Sequence, residues 1–337
     1  MEVQYYINAY GFLILGIFLI LINLPVMIVV CCSAKLRNQY GVLMVSLFNS
    51  FLIGVVSVGY GIFTIVMYAL DRDDDTVTIA QCFYNPLSFF LLWTFPMASL
   101  GLLFNSIDRL LVVSFPLTYF KYSRKVIVVL IALAVVINVS VVFTACFLTL
   151  QSRPNAYVNV FCNQHQVFSR NVNVFLTGIK AVFALLSILV MFVVLLVFMK
   201  RSQTKVHKTF LTDATVKRFR ARQMGFTKTM LISCIATLVI FICPSVFAVV
   251  AIIMDLNPHI YVWTRFICFL NFFNIALLII YRQNDIRRKI CLMLSYLCMV
   301  KLLHVSVSEG TFSEVSRRQV VQHHVKSAVS YLSKREP

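Results

Sequence analysis

An aspartate and an arginine stand side by side at the end of a long apolar run, in Ser106-Ile107-Asp108-Arg109-Leu110. A proline, Pro116, follows seven residues after Arg109. A carboxylate at such a place holds the guanidinium beside it or releases it toward a partner, which makes a two-state element. The plainer alternative is an arginine that only extends its head into the interface, with Pro116 ending the helix. Two more cations, Lys180 and Arg265, interrupt other apolar runs. A charge at membrane depth costs about 2.5–3.5 kcal/mol on insertion scales, so it usually faces an internal cavity or a partner. Together the two could receive an anionic or carbonyl-bearing small molecule, with Tyr68, Trp93, Tyr60 and Trp263 lining the same cavity. The alternative is that both reach outward to lipid phosphates, Arg265 pairs with Asp255, and the aromatics pack or face lipid.

Enzyme chemistry has no set to stand on. The chain has no HExxH, no GxSxG and no glycine-rich phosphate loop. Asp71-Arg72-Asp73 has the spacing of a metal-binding DxD only by chance and reads as a solvated acidic loop. His323-His324 carries no metal spacing, and Ser306, Ser308, Thr311, Ser313 and Ser316 form an ordinary serine-rich tail. The ten cysteines include no CxxC pair. No cofactor, metal or nucleic acid is expected.

The elements that must carry these residues follow from composition. Of 337 residues, 60% are hydrophobic and 12% charged, and mean hydropathy is +0.88. Soluble domains hold about 25% charged residues, and one soluble core of this length could not bury so much apolar surface. Disorder needs low hydrophobicity, and a membrane β-barrel needs short alternating segments. What remains is an all-α membrane protein.

Spanning the hydrocarbon takes about 20 helical residues. Residues 3–34, 38–70 and 76–107 carry no charged side chain, nor do Val126–Ser152. The fifth stretch, Val172–Met199, is broken only by Lys180. The sixth is Thr229–Met254. The seventh, about Ile260–Tyr281, is the weakest because Arg265 sits near its start. Neither a soluble insert nor an internal repeat is evident.

Of the 30 Lys/Arg, all but Arg72, Arg153, Arg170, Lys180 and Arg265 fall on one side of this arrangement. The positive-inside rule makes that side cytoplasmic and the amino terminus extracellular. Residues 1–9 are then a short extracellular amino terminus, 10–281 the seven-span bundle, 282–303 a membrane-surface helix and 304–337 a polar cytoplasmic tail. The first span reads as an uncleaved anchor, since Met1–Asn8 lacks a basic residue. The sequon at Asn138 falls inside the fourth span. In the loop before the sixth span, Val216, Phe219, Phe226 and Met230 recur at helical spacing among Lys217, Arg218, Arg220, Arg222 and Lys228. That pattern extends the helix with a basic surface for an acidic partner or anionic lipid, or serves only as a topology determinant.

Seven spans with Asp108-Arg109 at the inner end of the third, and Pro116 beyond, resemble the rhodopsin-like receptor signature Asp-Arg-Tyr with a proline in the second inner loop. Here Leu110 replaces the tyrosine. The run from Asn105 to Tyr119 most resembles nematode serpentine chemoreceptors. The resemblance implies that Asp108 holds Arg109 at rest and that Arg109 turns toward a heterotrimeric G protein on activation. It also implies a disulfide between Cys82, opening the third span, and Cys162. These are the only two cysteines in outer loops; the alternative is two free thiols. Cys82 lies 27 residues before Arg109, which places an irregularity at Pro86 or Pro96. Asn23 suits the polar position of the first helix. Ser46, Asn49 and Ser50 stand where an acid would bind sodium, so a sodium site is not expected. Phe241-Ile242-Cys243-Pro244 keeps the proline of the sixth-helix hinge without its tryptophan, and Pro244 should kink the helix. Asn274 lacks the usual following proline. Tyr281–Arg288 resembles the lead-in to an amphipathic eighth helix, with Ile286, Ile290, Leu294 and Leu297 at helical spacing beside Arg287, Arg288 and Lys289. Cys291 and Cys298 are there either palmitoylation sites or inert interfacial thiols.

The expected function is a plasma-membrane chemosensory receptor, in sensory cilia among other settings, that binds a small environmental molecule. A neuropeptide receptor of the same fold is the nearest rival. Amine ligands are disfavoured because no acid lies between Asp75 and Asp108. A transporter or channel is more distant, since paired repeats and broken helices are missing, and an insect-type odorant channel needs the opposite orientation. Epitope tags at the two ends test the orientation. An amino-terminal tag should stain on intact cells and a carboxyl-terminal tag only after permeabilisation; the reverse pattern rejects the receptor reading.

Overall fold

The structure is a computed structural model. It describes residues 2–33, 37, 41–72, 74–153, 156–203, 232, 235–254, 259–282, 286–293 and 295. The basic residues Arg218, Arg220, Arg222 and Lys228, along with Asp255, Cys298, His323, His324 and the tail 304–337, lie outside the described residues.

Helix α1 is Glu2–Cys32 and α2 is Gly41–Ala69. Strand β1 (Thr76–Thr78) leads into a short α3 (Ile79–Tyr84), then α4 (Pro86–Ser114) and α5 (Pro116–Ser152). Strand β2 (Tyr157–Asn159) precedes α6 (Gln164–Val167) and α7 (Arg170–Gln203). One π-helical turn, Leu238–Ile242, runs into α8 (Cys243–Ile253), and α9 is His259–Arg282. Among the described residues six helices are long and apolar enough to cross a membrane. They are seven if Phe266–Tyr281 and Ile286–Met293 count as one span. The chain is therefore an all-α, multi-pass membrane protein, as composition demands, with one small pair of strands. The first helix extends back to Glu2, so most of the stretch 1–9 is helical, ahead of the apolar span Ala9–Cys32.

Helices are compulsory here because lipid offers the backbone no hydrogen-bond partner. The chain divides into two compact units, Met1–Ile286 and Arg287–Pro337. Within the first, α4 is central: 61% of its apolar window is buried, against 28% for α5. One core cluster joins Phe12 and Leu19 of α1, Ile53 and Tyr60 of α2, Phe95 of α4, Ala184 of α7, Phe241, and Phe269 and Phe272 of α9. Helix α5 joins through two other clusters, one with Cys82, Leu92 and Val142, the other with Leu100, Phe104 and Ala134. Helices α1 and α2 approach closely at Gly16 and Gly61, where an added Cβ would lie 2.7 Å from the Gly54 and Ala9 carbonyl oxygens respectively. Dispersion between backbones needs such small residues in lipid. In the second unit the described residues 287–293 are helical, with Arg287, Arg288, Lys289 and Cys291 exposed.

The sequence places Cys82 at the opening of the third span. The structure corrects this. Cys82 sits on the separate six-residue α3, and the chain breaks at Asn85 before α4 begins. The irregularity falls at Pro86, and Pro96 lies inside an uninterrupted helix. The cause is local. A residue before proline is pushed out of the helical region, and Asn85 has φ −70° and ψ 115°. Its side chain then accepts from the Leu87 N–H at 3.0 Å and caps the new helix. Thr78 and Gln81 form a capping box that starts α3.

Cys82 and Cys162 form a disulfide, with Cα atoms 5.5 Å apart. Alongside it β1 and β2 pair antiparallel, Thr76 opposite Asn159 and Thr78 opposite Tyr157. The Tyr60 hydroxyl adds a tie from α2 to the same loop, 3.1 Å from the Phe161 carbonyl and 3.2 Å from Asn163 Oδ1. Loss of a bridge of this kind typically costs about 2–5 kcal/mol. Cys82→Ser and Cys162→Ser should each lower surface expression, and the double variant should be no worse than either single one. Additive losses in flow cytometry would show that the two cysteines do not act as a pair.

Candidate functional site

The charged pair lies at the end of α4 opposite the disulfide. Asp108 is 1% exposed and Arg109 8%. Arg109 Nη2 stands 2.5 Å from Asp108 Oδ2. A third member closes the site: the Tyr119 hydroxyl donates to Asp108 Oδ1 at 2.7 Å. Both carboxylate oxygens are thus engaged, one by a cation and one by a phenol, which compensates the charge for its lost water.

Pro116 decides that geometry. Helix α4 ends at Ser114, Phe115 leaves the helical region with φ −134° and ψ 62°, and Pro116 starts α5 in its first turn. Proline suits that place because its missing N–H would find no helical partner there anyway. The sharp corner brings Tyr119, in the first turn of α5, back over Asp108. The sequence contains Tyr119 in the quoted run but gives it no role; an eleven-residue separation across a corner is not a helical spacing. Tyr119 lies outside the apolar span Lys121–Ser152. Burial first, then the charge and hydrogen bond of Asp108, raise its phenol well above the ordinary 10.0, against a smaller opposing effect of Arg109.

The candidate ligand residues whose side chains are described do not all fall at one place: Tyr60 shares a core cluster with Phe95, over which Lys180 sits, and Trp93 does not. Lys180 lies in α7 with Nζ 5.2 Å from the centroid of the Phe95 ring, beside the aromatic cluster of Phe95, Phe269 and Phe272. Trp93 does not share that site. It is two residues from Phe95, about 200° round the helix, and it stacks on Phe89 at 6.4 Å and packs toward α5. Tyr68 sits exposed near the end of α2 and Trp263 is 58% exposed, whereas Tyr60 is buried in the core. Arg265 lies on α9, and its side chain is outside the described residues.

Pro244 stands in the first turn of α8, directly after the π turn Leu238–Ile242. The proline expected to kink the helix is therefore preceded by a wider π-helical turn. Ser245 Oγ donates to the Phe241 carbonyl at 2.6 Å. A polar joint unsuspected from the sequence lies near: Thr237 Oγ1 donates to Asn271 Oδ1 at 3.0 Å, and Asn274 Nδ2 to Thr237 Oγ1 at 3.2 Å. Ser106 and Ser187, with hydroxyl oxygens 2.8 Å apart, link α4 to α7. Asn49 Nδ2 donates to the Thr94 carbonyl at 2.9 Å, and Asn105 Nδ2 to Ser46 Oγ at 3.0 Å. Of these contacts, only those of Thr237 and Ser245 belong to the segment Ile235–Ile253; the others tie α4 to α2 and α7.

Tyr119→Phe removes the donor and keeps the ring. A hydrogen bond to a charged group contributes about 1.5–3 kcal/mol, so this variant should unfold at lower temperature in detergent, by thermal-shift assay. The raised phenol pKa sets the pH window. The stabilisation is complete below pH 10 and falls as pH rises above it, so the wild-type advantage over Tyr119→Phe should narrow only in strong alkali. No protein-family model and no curated protein matches the chain, so the functional reading stands on this geometry and on the sequence.

Proposed function

We propose that the protein is a G-protein-coupled chemosensory receptor of the plasma membrane. It binds a small environmental molecule at its extracellular side and activates a heterotrimeric G protein at its cytoplasmic side. The observation that carries this reading is the buried Asp108–Arg109 pair capped by Tyr119. A guanidinium held inside the bundle by one carboxylate is a restrained state with an obvious released counterpart. The hinge around Pro244 supports it by giving the sixth span a place to bend. Lys180 beside Phe95 supplies a cation next to an aromatic cluster for a ligand carrying an anionic or carbonyl group. The arrangement of all but five basic residues on one side supports an extracellular amino terminus. The helix beyond Ile286 then lies on the inner membrane surface as an eighth helix.

Coupling follows from a shift of populations. Ligand binding at the disulfide end favours a bundle in which the sixth span has bent. The Asp108 contact then no longer holds Arg109, and the guanidinium reaches the G protein. Asp108→Asn removes the charge and should raise ligand-free signalling. Loss of about 1.5–3 kcal/mol of restraint corresponds to a roughly tenfold to hundredfold change in the resting-to-active ratio. Arg109→Ala should abolish coupling while the protein still reaches the surface. A basal G-protein activation assay normalised to surface level reads both, and normal signalling by Arg109→Ala would refute the mechanism.

A further inference from the structure

Six described cysteines are free, and their positions separate them sharply. Cys146 is half-buried and Cys268 buried. Cys243 is exposed but lies in the middle of the apolar stretch Ile235–Ile253, too deep for a water-borne reagent. Cys31 and Cys32 are different. Both are exposed, and they are the last two residues of the apolar span Ala9–Cys32.

Their face of the helix is defined. Along α1 the exposed large side chains are Tyr6, Tyr10, Ile14, Ile17, Phe18, Leu21 and Ile28. These recur at steps of three, four and seven, the spacing of one helix face. Cys31 and Cys32 continue that same line. The opposite face, with Phe12, Leu19, Asn23, Val26 and Val30, is packed into the bundle. The exposed stripe of a membrane helix is its lipid face, so the two thiols stand where that face leaves the hydrocarbon. Lys35 and Arg37 follow at once in the sequence and suit a membrane surface with anionic lipid.

We infer that Cys31 and Cys32 are S-acylation sites that carry long-chain fatty acyl groups, a modification placed at the inner end of the first helix. The inference rests on the orientation in the proposed receptor, which makes this helix end cytoplasmic. The donor is a long-chain acyl-coenzyme A, used by a membrane acyltransferase. The cysteine sulfur attacks the thioester carbonyl carbon. A new S–C bond forms, the bond from that carbon to the sulfur of coenzyme A breaks, and coenzyme A leaves as the thiol with the proton. Nothing is oxidised or reduced. An acyl chain attached here lies directly along Ile28, Leu21, Phe18 and Ile14 without crossing the bundle. It thus anchors the junction between the first two spans, on the same side as Asp108 and Arg109.

The test uses the full chain in cells fed alkyne-tagged palmitate. The background is Cys291→Ser with Cys298→Ser, so that the carboxyl-terminal cysteines contribute nothing. Hydroxylamine-labile label should be present in that background, fall when either Cys31→Ser or Cys32→Ser is added, and be lost when both are. Should the serine pair fail to reach the membrane, Cys31→Ala with Cys32→Ala keeps the face apolar and gives the same comparison. Label that survives the loss of both thiols, or no label in the background at matched expression, overturns the inference. An amino-terminal tag read in the same cells separates the two failures. Staining on intact cells with no acyl label overturns acylation alone, whereas a tag hidden until permeabilisation overturns the orientation as well.

Discussion

A lipid bilayer gives a polar group no water to bond with, and each unsatisfied group there costs several kcal/mol. Nearly every polar contact inside this chain is an answer to that constraint. Hydroxyls bond back to their own helix: Ser50 to Ser46, Ser57 to Ile53, Thr64 to Tyr60 and Thr149 to Ala145. Amides also bond across helices, as Asn49 does to Thr94 at 2.9 Å and Asn105 to Ser46 at 3.0 Å, while Asn23 bonds to Leu19 of its own helix at 3.0 Å and reaches Phe272 at 3.5 Å. The first kind hides a polar atom at no cost in specificity. The second fixes which helices are neighbours and at what height. Packing shape alone would leave apolar helices freer to slide.

The same constraint acts more strongly on charge. Asp108 at 1% exposure is tolerable only because its two oxygens have two donors. Removing one partner from a buried pair typically costs about 3–5 kcal/mol, since the other charge is stranded. The pair is thus stable when closed, and opening it carries a cost. Lys180 meets the problem otherwise, with its ammonium over the Phe95 ring, a contact that gains strength as water is excluded.

At the disulfide end the constraint relaxes and other chemistry takes over. Irregular backbone can exist there. Asn85 breaks the chain ahead of Pro86, two three-residue strands pair, and the Cys82–Cys162 bridge ties the loop to α3. The two ends differ accordingly: a covalent, ordered cap at one, and an ion pair held by a corner at the other. Helix α4 runs between these two ends.

That the chain is helical and crosses a membrane several times was legible because an apolar run of about 20 residues is a property of the chain in one dimension, while the structure gives six such helices among the described residues, or seven if one bent pair is a single span. Asp108 and Arg109 were legible as a pair because they are covalent neighbours, and Pro116 and Pro244 because proline acts on its own backbone. Cys82 and Cys162 were legible as partners, but the separate α3 that carries Cys82 was not, since the break depends on Asn85 as cap. Which face of each helix turns inward was decided only in three dimensions. In α1 and α4 apolar side chains cover the outer face as well as the inner one, and in α4 the buried face carries polar residues such as Thr94, Ser99 and Asn105, so hydrophobic periodicity does not single out a face. That is why the sequence offered Trp93 for the pocket, whereas packing puts Phe95, on the opposite side of α4, beside Lys180. Tyr119 closes on Asp108 because a corner at Phe115 and Pro116 folds one helix back on the next, and Thr237 meets Asn271 and Asn274 because two helices lie side by side. Such contacts join residues whose separation in the chain carries no period, and only tertiary packing brings them within bonding distance.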